Sequence, residues 1–241
     1  AYRVAGIAAA LEGLGHRVRD LGDLAPDPVP DPGWQANPAV HHLAETLGWT
    51  AALSRAGRAA MAEGVPVFLG GDHSLSLGSV AGVAAHAADV GRPLFVLWLD
   101  AHSDIHTPET TQSGNLHGTP VAWLTGRPFA PFPPFPAPVP PGQVCLFGLR
   151  SVDPAERAAL VEADFCLADM RTIDEQGVTA PLRGFLDRVA AEDGLLHVSL
   201  DVDFLDPGVA PAVGTTVPGG ATEREAPLAM EVLHDSGLGS S

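Results

Sequence analysis

Positive charge is scarce in this chain: 13 Lys+Arg stand against 29 Asp+Glu among 241 residues, a formal −16 at pH 7. Nucleic acids and anionic membrane surfaces are bound mainly through clustered Lys and Arg, so this balance disfavours both as partners. An acidic surface can concentrate cations instead, either metal ions or a positively charged small molecule. Cysteine is almost absent as well. Cys145 and Cys166 lie in the apolar contexts QVCLFG and ADFCLA, which reads as two buried, reduced thiols. No apolar run approaches the ~20 residues a membrane helix needs. No charged-then-apolar leader opens the sequence. A reducing, cytoplasmic setting is the default expectation.

Helix-period and strand-like segments alternate along the chain. Helices are expected over Tyr2–Leu14, from Asn37 or Pro38 to about Glu63, over Leu75–Asp89, Pro154–Glu162, Glu175–Ala191 and Thr222–Ser236. Strands are expected at Arg17–Leu21, Val65–Leu69, Leu94–Leu99, Val144–Leu149, Ala163–Ala168 and Leu195–Leu200. Continuous apolar strands between helices describe a mostly parallel sheet covered on both faces, an α/β/α sandwich formed as one domain over 1–241. The proline-dense stretch from Phe129 to Gly142 reads as an irregular surface loop.

Three of these strands run into clusters of metal-ligand residues: Gly70-Gly71-Asp72-His73-Ser74, Asp100-Ala101-His102-Ser103-Asp104 and Asp201-Val202-Asp203. In open α/β sheets, ligands bind beyond the carboxyl ends of the strands. Alternate residues of an extended chain project to one side, so Asp100, His102 and Asp104 can enter one cavity, as can Asp201 and Asp203. That many carboxylates without a cation would repel one another and resist ionisation. With His73 and His102 the set has four carboxylates, two imidazoles and no thiolate, a chemistry that favours Mn²⁺ over structural Zn²⁺. It is too many ligands for one catalytic ion with open positions and suits two ions sharing carboxylates.

GGDHS, LDAHSDIH, SGNLHG, GLRSVDPAE and SLDVDFLDPGVAPAVGTTVPGG resemble, in order and spacing, the signatures of the ureohydrolases, the arginase/agmatinase family, and within it the arginases of bacteria. The resemblance implies a binuclear manganese hydrolase in a three-layer α/β/α sandwich, cleaving L-arginine to L-ornithine and urea. It implies one ion on His73, Asp100, Asp104 and Asp201, and another on His102, Asp203 and the shared Asp100 and Asp201. Water bridging the two ions would be acidified enough to attack the guanidinium carbon near neutral pH. His117 and Asp104 would serve catalysis, His117 moving a proton at the leaving amine. Ser113 and Asn115 would meet the substrate α-carboxylate and Asp153 its α-amino group. His106, Glu156 and Thr215 complete the implied substrate contacts.

The chain departs from the family pattern at His106, often asparagine, and at Ser151, often aspartate. It also departs at Glu223, where an aromatic is usual, and at Pro227, where a histidine is usual. Relative to the family, a first strand and a final strand and helix are expected to be missing. With them would go a glutamate that pairs with the guanidinium and the segment that often builds a trimer or hexamer. Two other readings stay open: a ureohydrolase acting on agmatine or a guanidino acid, and a metal-binding fragment without catalysis.

Overall fold

A computed structural model describes residues 3–241. The elements run α1 (Ile7–Gly13), α2 (Leu43–Met61), α3 (Leu75–Val90), β1 (Leu94–Leu99), α4 (Pro120–Leu124), β2 (Val144–Phe147), α5 (Pro154–Glu162), β3 (Cys166–Ala168), α6 (Met170–Gln176), α7 (Thr179–Ala191), β4 (Leu195–Leu200) and α8 (Glu225–Ser236). All strand pairs are parallel, in the order β3-β2-β1-β4. This is the expected α/β architecture.

The sheet separates two cores because side chains alternate across a strand. Leu94, Val96 and Trp98 of β1 join Val144 and Leu146 of β2 in one core, with α3, α4 and α5. Phe95, Leu97, Leu99, Cys145 and Phe147 point the other way, into a core built with α6, α7 and α8. All six residues of β1 are buried, which explains why it carries no polar alternation. The loop from 129 to 142 is irregular, as expected, but not merely superficial. Phe129, Phe132 and Phe135 are buried around Trp123, whose indole N–H donates to the Pro133 carbonyl at 2.8 Å.

Several expected elements differ. Residues 17–21 and 65–69 form no strand: a strand exists through pairing, and among the described residues none brings a hydrogen-bonding edge to either segment. Val65 and Val67 are consequently exposed. The long helix begins at Leu43 instead of Asn37, because His42 adopts a left-handed backbone (φ 55°). The stretch from 175 to 191 is broken by Gly177 at φ 73°, a conformation that glycine tolerates. The third strand contracts to Cys166–Ala168, at the edge of the sheet. The last helix starts at Glu225, preceded by reciprocal Thr222–Glu225 contacts of the capping-box kind. Pro227 therefore falls in the first turn, where proline is tolerated. Tyr2, expected in the first helix, lies outside the described residues. No helix among those described is long and apolar enough to cross a membrane.

Helices α2 and α3 approach closely through glycine. A Cβ on Gly82 would stand 2.5 Å from the Ser54 carbonyl oxygen and 2.8 Å from the Arg58 nitrogen. Gly82→Ala should therefore destabilise by about 1–3 kcal/mol through overpacking, read as a lower Tm. An unchanged Tm would mean that the two helices do not meet here.

Candidate metal centre

β1 and β4 are neighbours, paired from Leu94↔Leu195 to Leu99↔Leu200. Their carboxyl ends therefore deliver Asp100 and Asp201 side by side. His73 comes from a different source than expected, the turn entering α3, where the Asp72 carboxylate accepts from Ser74 N at 3.0 Å. Its ring stacks on Trp98 with centroids 4.3 Å apart. The Trp98 indole in turn donates to Asp100 Oδ2 at 3.1 Å.

His73 Nε2 faces the Ser199 hydroxyl at 2.8 Å. Nδ1 lies 3.0 Å from Asp100 Oδ2, 3.2 Å from Asp104 Oδ2 and 3.1 Å from Asp201 Oδ2. None of these approaches is aligned as a hydrogen bond, and Nδ1 is a buried polar atom without a partner. One imidazole nitrogen facing three carboxylate oxygens is a donor set that could hold a cation. A second group adjoins it: His102 Nδ1 is 3.4 Å from Asp100 Oδ1 and 3.0 Å from Asp203 Oδ2. His73, Asp100 and Asp201 thus form one ligand cluster and Asp100, His102 and Asp203 another, with Asp100 common to both.

Two geometric expectations change. Asp201 and Asp203 do not alternate along an extended strand, because Val202–Phe204 is a 3-10 turn in which Asp201 accepts from Asp203 N. The turn sends Asp201 to the His73 cluster and Asp203 to the His102 cluster, so only Asp100 is shared in this arrangement. Asp104 likewise leaves the extended path, at φ 49°, yet still reaches His73.

The electrostatics express crowding. Burial and the charge of Asp100 push Asp104 up to about 7. Burial also raises Asp203, against the pull of His102. Burial opposes charge on Asp100, but the close imidazoles of His102 and His73 prevail and hold it below the usual carboxylate range. Contacts with Asp100 and Asp203 raise His102 to about 10. Such mutual dependence is what a divalent cation would relieve.

The remaining candidate residues gather on nearby loops. His117 Nδ1 donates to Asp72 at 3.0 Å, which raises the His117 pKa and depresses that of Asp72. The sequence places Asp72 directly before His73 but gives it no role of its own; the contact with His117 supplies one. Ser113 Oγ accepts from Asn115 N at 3.2 Å. Between them Gly114, at φ 76°, passes so close to the Ala39 carbonyl that a Cβ would sit 1.8 Å from its oxygen. Asn115 Oδ1 lies 2.8 Å from His41 Nε2, and Asn37 ties the same loop through Pro108 and Thr111 carbonyls. His41 and Asn37 carried no recognisable motif.

His106 Nε2 meets Asp153 Oδ2 at 2.7 Å. The other Asp153 oxygen caps α5, in a capping box completed by Glu156. His106, Asp153 and Glu156 form a third cluster able to hold a cation. Thr215 donates to Asp203 Oδ2 at 3.2 Å. Its loop is secured by Arg150, which donates to the carbonyls of Val217 and Asp203 at 2.8 and 2.6 Å.

The arginase family model matches residues 3–240. The chain belongs to the arginase family. It is 60% identical over 242 residues to an arginase of Brucella melitensis biotype 1, covering all of this chain and 79% of that protein. It is 37% identical over 246 residues to the mitochondrial arginase-2 of Homo sapiens, covering 99% of this chain and 68% of that one. Among solved structures, the arginase of Bacillus cereus superposes with a TM-score of 0.88 at 33% identity, covering 99% of this chain and 79% of that one.

Within this arginase-family site, buried Glu156 accepts from Ser103 Oγ at 2.8 Å and from Asp153 N at 3.1 Å. Glu156→Ala would strand both donors and should destabilise by about 1–3 kcal/mol. The check is the urea-denaturation midpoint; no shift would show that this link contributes nothing.

Proposed function

We propose that the chain is a single-domain arginase, hydrolysing L-arginine to L-ornithine and urea with two Mn²⁺ ions. The observation that carries this reading is the pair of ligand clusters joined through Asp100, one of them centred on the unpartnered His73 Nδ1. His73, Asp100, Asp104 and Asp201 would hold one ion. His102, Asp203 and Asp100 would hold the other, with Asp201 as a further candidate ligand beside them. The all-oxygen-and-imidazole donor set suits Mn²⁺. When bound, the metal pair supplies the Lewis acidity that brings deprotonation of water into the neutral range.

The chain's own residues orient the substrate. Ser113 and Asn115 present donors to the α-carboxylate from a loop braced at Gly114 by residue 39. Asp153 receives the α-ammonium at Oδ2, the oxygen that also meets His106 Nε2 at 2.7 Å. Glu156 keeps Asp153 in place through the capping box. Thr215 lies against the guanidinium and fixes Asp203. With His117 Nδ1 committed to Asp72, proton transfer to the leaving amine falls to Nε2, while Asp104 takes part in moving the proton released from water. Urea and the amine together account for every atom of arginine and water.

Urea release from L-arginine, agmatine and guanidinobutyrate by the Mn²⁺-loaded chain tests the reading. Arginine should be strongly preferred. Ser113→Ala and Asn115→Ala should each raise KM for arginine, since a hydrogen bond to a charged group is worth about 1.5–3 kcal/mol, roughly 10- to 100-fold. Agmatine, lacking the carboxylate, should respond little. Preference for agmatine would overturn the assignment. The metal itself has a separate readout: Mn²⁺ at 100 times its Kd should stabilise the fold by about 2.7 kcal/mol per independent site, and Asp100→Asn should abolish most of that gain.

A further inference from the structure

The two cysteines play no part in the metal centre, yet they are paired by the sheet. β2 and β3 are parallel neighbours, and their register sets Cys145 directly opposite Cys166. Adjacent strands lie about 4.8 Å apart, inside the Cα–Cα range of roughly 4.4–6.8 Å that a disulfide spans. Both side chains belong to the core shared with α6 and α7, and their sulfurs are 3.2 Å apart. Cys145 is fully buried, whereas Cys166 keeps some exposed surface on an outer strand.

We propose that Cys145 and Cys166 form an oxidisable dithiol, a modification site at which a hydroperoxide converts the pair into an intramolecular disulfide. Cys166 is the residue oxidised first, because it alone of the two is reachable from solvent. Its thiolate is favoured as well: the hydrogen bond from Cys145 and the charge of Arg188, opposed by burial, bring its pKa down to about 7. Cys145 is raised by the same contact and by burial, and stays a thiol. Nucleophilicity in such pairs follows the thiolate.

In the first step the Cys166 sulfur attacks one peroxide oxygen and the O–O bond breaks. Cys166 becomes a sulfenic acid and hydroxide leaves, taking up the proton first lost by the thiol to make water. In the second step the Cys145 sulfur displaces that oxygen, the S–S bond forms, and the Cys145 proton departs with it as a second water. Two thiols and one hydrogen peroxide thus give one disulfide and two waters, with two electrons passing from sulfur to oxygen. Closure needs a contraction of the 3.2 Å separation to about 2.0 Å, which the short outer strand can absorb. β2 leads directly to Gly148 and Arg150, so the modification lies one strand end away from the metal-ligand loops.

The test treats the intact folded chain with hydrogen peroxide, quenches, denatures and alkylates it, then maps its peptides. The expected product has lost two hydrogens, resists alkylation at both cysteines and contains a linked Cys145–Cys166 peptide that dithiothreitol releases. In Cys145→Ser, dimedone should trap a sulfenic acid on Cys166; in Cys166→Ser, Cys145 should remain a free thiol. Oxygen added at Cys166 of the unsubstituted chain while Cys145 stays alkylatable would overturn the proposal. A disulfide linking two chains, or both thiols surviving peroxide that fully oxidises glutathione, would overturn it too.

Discussion

Asp100 is the constraint around which the site is arranged. Its two oxygens face different imidazoles, Oδ2 toward His73 and Oδ1 toward His102, so a single carboxylate defines where two ligand clusters meet. Asp201 and Asp104 bring further negative charge to the His73 side, and Asp203 to the His102 side. Bringing these groups together costs electrostatic energy that only positive charge can offset. The protein surrounds them with a sheet and helices that hold the repulsive arrangement in place.

The restraint is hydrogen-bonded as well as packed. Ser199 on β4 orients His73 through Nε2, and Trp98 both stacks on that ring and donates to Asp100. Ala101 N donates to Asp203, and Thr215 adds a second donor to the same carboxylate. Partners of this kind fix the orientation and basicity of ligands before a metal arrives. The neighbouring cluster is braced by the same logic: Ser103 on the β1 loop holds Glu156, which holds Asp153, which meets His106. The loop after β1 and the start of α5 are therefore joined by a continuous chain of hydrogen bonds.

Legibility from sequence varied with how locally each feature is determined. β1 was legible to the residue, because six consecutive apolar positions between Pro93 and Asp100 admit little else in an α/β chain. The span of α5 was legible to the residue because proline suits a first helical position and marks its start at Pro154. Residues 17–21 and 65–69 look like strands in the sequence but form none, since pairing depends on a distant edge. His42 and Gly177 interrupted helices through backbone conformations that periodicity does not register. The residues that gather in the two clusters could be picked out in advance; that Asp203 would turn away from Asp201 in a 3-10 turn could not.

The amino-acid sequence by itself determined the family, the α/β class, the acidic character and the inventory of chemically capable residues, because motif spacing, hydrophobic period and composition are local properties. Tertiary structure alone decided which residues meet. Asp100 joins two clusters because β1 and β4 pair in one register. His117 finds Asp72 across 45 positions and Asn115 finds His41 across 74. The two cysteines face one another because β2 and β3 are aligned. Contacts of this kind depend on how separately formed elements dock, and docking is set by the shape and burial of whole faces, which no short stretch of sequence contains.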